Sequence, residues 1–257
     1  MTTPTTAAAH NAGETQRRTL WPGVAGIASG VLLLVSLLVV LAVSPDVRGR
    51  EGLRETFLFY LDQGNLDLSV AMATVQLVAA VLFVWFLAAL ARLAGNRSHL
   101  VLGSGVAFTV LLLVAALTGS VFALSVNSTE VVRVTLPTTV IAILLLDMAY
   151  AAYIAAMAVA AVLLFTVWRV SVTTGAVPVW LGWFGFAVAV ASLAGPYTAW
   201  LTAPLMAVWI LLAGLLLVLR PPATAMAEPP GAGPAAAGTP GARASDAGPP
   251  RGEPPLP

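Results

Sequence analysis

The sequence predicts an all-α, polytopic membrane bundle of six transmembrane helices, with a short interfacial helix in the first external loop. Two observations carry this. Of the 257 residues, 59% are hydrophobic and only 9% are charged, whereas soluble domains carry about 25% charged residues. So few charges cannot cover a water-facing surface, so the solvent must largely be lipid. Second, six apolar stretches recur at approximately 23–43, 68–91, 100–124, 139–166, 177–195 and 199–219. Each comes near the roughly 20 residues a helix needs to cross about 30 Å of hydrocarbon, where only a helix satisfies its own backbone.

The elements follow in chain order. Residues 1–19 are rich in Thr and Ala, end in Arg17 and Arg18 and show no apolar period; they read as a disordered cytoplasmic tail ahead of the transmembrane domain at 20–220. The first span ends in "LAVS" before Pro45, which resembles a processing site, but its run of about 21 residues exceeds the roughly 7–15 of a signal-peptide core. A retained helix is expected. The long loop at 44–67 contains "EGLRETFLFYLDQGN". Leu53, Phe57, Tyr60 and Leu61 fall at helical spacing there, with Arg50, Glu51, Arg54, Glu55 and Asp62 left for a wet face and Gly64 just past the end. This pattern predicts a short helix lying on the membrane surface. Residues 221–257 are dominated by Pro, Ala and Gly, bury too little to offset their ordering entropy, and read as a second disordered cytoplasmic tail.

Arginine placement gives an orientation. Arg17, Arg18, Arg92, Arg97, Arg169 and Arg220 lie on the side of the N-terminus, against Arg48, Arg50, Arg54 and Arg133 on the other. The excess puts both termini in the cytoplasm of a multi-pass plasma-membrane protein. Trp21, Trp168, Trp180, Trp183 and Trp200 fall at span ends, as an aromatic belt requires. The sequon Asn127-Ser128-Thr129 lies on the outer side and matters only in a eukaryotic secretory pathway. Arginine to the exclusion of lysine, with abundant Ala, Val, Gly and Pro, points instead to a GC-rich bacterial genome.

Several function classes are excluded or unsupported. Net charge is +1, without the clustered basic residues that nucleic acid needs. There is no cysteine, hence no disulfide, thiolate metal site or cysteine nucleophile. Both histidines, His10 and His99, lie outside the spans, so no intramembrane serine–histidine pair forms. Neither a zinc HExxH motif nor a phosphate-binding glycine loop is present. No enzyme activity and no cofactor is expected; the expected partners are the bilayer and a second membrane protein or copy of the chain.

One residue stands out. In "LLLDMAYAAYIAA", Asp147 is the only charge well inside an apolar stretch. A carboxylate at mid-membrane costs roughly 3 kcal/mol on insertion scales. Counting from the outer end of the fourth span puts Asp147 about 12 Å deep at ~1.5 Å per residue. Gln76 in the second span falls at the same depth. Thr118 and Ser120 reach the outer half of the third, Ser192 and Thr202 that of the last two, and Tyr150 shares a helix face with Asp147. Asp147, Gln76, Tyr150, Thr118 and Ser120 therefore form the candidate intramembrane polar site. It reads first as a hydrogen-bonded tie between helices, and alternatively as a proton or cation site facing water. The tie is preferred because a transporter usually carries more than one intramembrane charge. Gly26-Ile27-Ala28-Ser29-Gly30, the alanine run of 149–161, and Gly182 with Gly185 are small-residue packing surfaces, within or between chains. The preferred function is thus a non-enzymatic membrane component assembling through such faces; the alternative is a small proton- or cation-coupled transporter or permease using Asp147.

Three stretches, "FLFYLDQGN", "VLFVWFLAALARLAG" and "GAVPVWLGWFGFAVAVASLAG", resemble a family of six-helix integral membrane proteins of unknown function common in actinobacteria. The likeness spans about residues 20–220. It implies the six-helix fold and carries no activity, cofactor or site residue to this chain.

Overall fold

The computed structural model describes residues 5–44, 51–128, 133–175 and 177–219, with side chains from Leu20 onward. The expected tail at 221–257 lies outside the described residues, as do Arg48 and Arg50 of the first loop. Every regular element among the described residues is helical: α1 (Thr5–Val43), α2 (Gly52–Leu61), α3 (Gln63–Leu93), α4 (Ser98–Ser128), α5 (Leu136–Thr174), α6 (Val179–Ser192) and α7 (Ala199–Leu219).

Five of these helices are long and apolar enough to cross a membrane: Leu20–Val43 within α1, then α3, α4 with its leading turn, α5 and α7. The fifth apolar stretch, 177–195, differs from expectation. It forms only the 14-residue α6, about 21 Å at ~1.5 Å per residue, short of a ~30 Å hydrocarbon layer. Its sequence explains the length. Pro178 sits at its N-terminus, and Gly195-Pro196 turns the chain into a short 3-10 segment with Gly195 at φ 62°, a left-handed conformation that glycine adopts at no steric cost. At the other extreme, α5 has 39 residues, about 58 Å by the same rise. Local chemistry fixes its ends. The Thr135 hydroxyl accepts from the Thr138 N–H while the Thr138 hydroxyl accepts from the Thr135 N–H, a capping box. Gly175, at φ 66°, closes the helix by donating to the Ser171 carbonyl. The helical backbone of α1 also runs back to Thr5, through 5–19 where disorder is expected. Ala7–Ala9 and the Gln16–Arg18 run favour helix, and α1 continues through Pro22 into the span.

Packing runs around a ring: α1 against α3, α3 against α4, α4 against α5, α5 against α6, α6 against α7, and α7 back against α1. The α1–α7 seam closes it. A Cβ on Gly30 would stand 2.7 Å from the Leu211 backbone nitrogen, and one on Gly214 would stand 2.6 Å from that of Ile27. The Gly26–Gly30 pattern is therefore used inside the chain, against α7. Ser29, fully buried, adds a hydrogen bond of 2.8 Å to the Ala79 carbonyl of α3. Trp209, also fully buried, donates to the Leu181 carbonyl, joining α7 to α6, and Gly185 leaves room for its indole.

α2 exists as expected, but its packed face differs. Gly52, Thr56 and Tyr60 are the buried positions, while Leu53, Leu58 and Leu61 are exposed and Phe57 is half-buried. The helix meets α5 and α3, and Tyr60 inserts edge-on against Phe122 of α4. Tyr60, Leu66, Phe122, Ala123 and Ala142 form a small second core at that end.

The seam makes a test. Gly214→Ala has backbone, not a flexible side chain, in its way; it should destabilise the protein in detergent by about 1–3 kcal/mol. Gly103→Ala meets nothing within 4 Å and should leave stability unchanged or raise it by up to ~1 kcal/mol. Thermal melts of the two variants check both; equal melting temperatures would remove the seam as a structural determinant.

Candidate functional site

A cleft of about 420 Å³ opens between the C-terminal end of α1, α2, the first half of α3, the second half of α4, α5 and the first turns of α7. Asp147, Gln76, Tyr150 and Ser120 all line it; Thr118 does not. Four of the five candidates from the sequence are thus brought together. On α4 the cleft face is Ala115, Ala116, Gly119 and Ser120, positions one helical turn apart. Thr118 lies about 200° around the helix from Ser120 and cannot share that face. Ser192 and Thr202 are buried elsewhere.

The polar groups are unequal. The Ser120 hydroxyl is spent on its own helix, donating to the Ala116 carbonyl at 2.9 Å. The Tyr150 hydroxyl donates to the Pro196 carbonyl at 2.7 Å, tying α5 to the turn between α6 and α7. Asp147 has no hydrogen-bond or ion-pair partner among the described residues, so neither Gln76, a threonine nor Tyr150 forms the tie that the first reading requires. Gln76 is 7% exposed and its amide likewise has no partner among the described residues. Its amide atoms keep some accessible surface, unlike the fully buried unpaired atoms of Thr56, Trp168 and Thr202.

The electrostatics are simple. Asp147 is the only ionisable acid on the wall, and no arginine or histidine accompanies it. Tyr60 adds no charge, since burial pushes its hydroxyl up to about 12. Most of the remaining wall is apolar, including Leu37, Val40, Leu68 and Met72. Pro204 has no N–H, so the Trp200 carbonyl lacks its usual helical donor four residues on; both residues line the cleft.

The Tyr150 hydroxyl meets Pro196 just ahead of α7, and Ala199 and Trp200, the first residues of α7, line the same cleft as Asp147.

Tyr153, Trp200 and Phe59 also line the cleft and escape the sequence reading. The end-of-span position of Trp200 and the spacing of Tyr150 and Tyr153 were the available signals. Among the described residues no group of three His, Cys, Asp or Glu side chains could hold a metal ion. Comparison with family models, with curated proteins and with solved structures returns no match.

Because the carboxylate holds nothing in place, Asp147→Leu should melt within ~0.5 kcal/mol of the parent chain. Ser29→Ala, which breaks a helix–helix bond, should lose about 0.6 kcal/mol. A loss of 1–2 kcal/mol in Asp147→Leu would restore the interhelical tie.

Proposed function

We propose that the chain is an integral membrane protein with six passes that admits a cationic group to the cleft at Asp147, as a small proton- or cation-coupled transporter or permease does, and that it performs no covalent chemistry. One observation carries this reading: a carboxylate and an amide, neither with a partner among the described residues, share the wall of an otherwise largely apolar cleft. An ionisable residue within a helix apolar enough to cross a membrane is by default a candidate for a ligand or ion site.

The sixth pass is supported by direction. A second, smaller cavity is lined by Gly175 at the end of α5 and by Leu216 and Leu217 at the end of α7. Asp147 and Trp200, near the starts of the same helices, share the large cleft. α5 and α7 thus run the same way, and α6 must return the chain between them. An interfacial position for α2 is supported by Leu53, Leu58 and Leu61 facing out beside Glu51, Arg54 and Glu55. A plasma-membrane location with cytoplasmic termini is supported by the arginine excess, and kinship with the actinobacterial six-helix family by the three resembling stretches. The assembly reading loses the Gly26–Gly30 surface it relied on, since α7 occupies it.

Two measurements test the proposal. Reporter fusions after Arg97, after Arg169 and beyond Arg220 should read cytoplasmic, and fusions near Glu55 and Glu130 external; opposite readings after Arg169 and beyond Arg220 would break the six-pass scheme, and inverted readings at every site would overturn the orientation. Asp147→Asn should give a normal yield of folded protein but fail to restore growth or uptake in a strain lacking the gene, because an amide neither exchanges a proton nor balances a cation. Full restoration by this variant would sink the cation reading.

A further inference from the structure

We propose that the occupant of the cleft is an organic ammonium ion bearing an apolar chain, with its head at the Asp147 carboxylate and its chain against the aliphatic wall. This rests on the cleft being a binding site and assigns its ligand class.

Charge sets the sign. The wall carries one carboxylate and no basic side chain, so a cationic guest is the one that neutralises it. Coordination then separates a bare metal ion from an organic cation. Mg²⁺ takes about six oxygen ligands and Ca²⁺ six to eight. The cleft offers the Asp147 carboxylate, the Gln76 amide oxygen and the Trp200 carbonyl that Pro204 leaves without its helical donor. The hydroxyls of Ser120 and Tyr150 donate to carbonyls and keep lone pairs to add, but the wall holds a single carboxylate and is otherwise largely apolar. A hard divalent ion would meet one negative charge where its sites gather several oxygens in a closed shell. An ammonium head has only a few donors to satisfy, and these acceptors match it.

The rest of the wall suits the rest of such a molecule. Tyr153, Trp200 and Phe59 place aromatic rings around the cleft, and aromatic faces attract ammonium groups. Leu37, Val40 and Met72 supply the surface for a hydrocarbon chain. The volume, about 420 Å³, falls within the roughly 300–1,000 Å³ of small-molecule sites. The first turn of α7, Ala199 and Trp200, closes the cleft beside these surfaces.

The test uses the full chain in dodecyl maltoside micelles, titrated calorimetrically with octylammonium chloride at neutral pH. Octan-1-ol and octyl sulfate serve as chain-matched neutral and anionic probes, and methylammonium as the head alone. Octylammonium should bind saturably at one site, at least tenfold tighter than each of the other three. Asp147→Asn should weaken it at least tenfold, Asp147→Glu should retain most of the affinity, and Gln76→Leu should weaken it about threefold. Competition by lysophosphatidylethanolamine but not lysophosphatidylglycerol would identify a lipid amine as the source; no competition by either would identify a soluble amine. Both outcomes support the assignment. It is overturned if octan-1-ol binds as tightly as octylammonium, or if Asp147→Asn binds octylammonium unchanged. Should octylammonium not bind while Asp147→Asn still fails in cells, the ligand class falls and the cation reading stands. Should that variant also work normally in cells, both fall.

Discussion

The ring of helices depends on the approach of α1 to α7. In lipid no hydrophobic force drives helices together, because the tails are as apolar as leucine. Contact must come from close packing, and closeness from missing side chains. Gly23, Gly26 and Gly30 on α1 meet Val218, Gly214 and Leu211 on α7 in antiparallel register. That seam joins the first and last helices, so the intervening ones cannot splay apart. The register also explains where the cleft is. One turn past Gly30 the small residues of α1 give way to Leu33 and Leu37, and α7 meanwhile carries Pro204. Leu37, Val40, Ala203 and Pro204 all line the cleft. It opens where the glycine seam ends.

How much of this the sequence carries depends on whether a feature is local or relational. Spans defined by hydropathy alone reappear as α1, α3, α4, α5 and α7, because backbone satisfaction in lipid leaves no other solution. Counting residues from span ends gathered Asp147, Gln76, Tyr150 and Ser120, which line one cleft, since rise per residue is fixed. Depth counting ignores rotation, however, and Thr118 fails on rotation alone. Apolar periodicity names the greasy face of α2, but in lipid the greasy face need not be the packed one. Gly52 and Thr56 are buried, and the leucines turn outward. Breakers at Pro178 and Gly195-Pro196 were visible, yet a window average over 177–195 hides that they leave only 14 helical residues.

Asp147 shows the same limit in energetic form. Placed at mid-membrane, an isolated carboxylate must be tied to something to offset roughly 3 kcal/mol, and an interhelical tie is the natural inference. The fold instead leaves it exposed on the wall of the cleft, with no partner among the described residues. What faces a side chain is set by rotation and by the neighbouring helices, which counting along one helix does not carry.

Gln76 then becomes the more informative residue. The amide brings two donors and an acceptor to a position 7% exposed, where Leu or Met would fill the same space on α3 among Met72, Ala73 and Ala79. Asp147 and Gln76 come from different helices, α5 and α3, so their convergence on one cleft is a property of the tertiary fold rather than of either helix. The exposed charge sets which sign of guest is drawn in, and the buried amide rewards the guest that reaches past the charge. A proton alone would satisfy Asp147 and leave Gln76 as it is, whereas a guest large enough to touch both accounts for both.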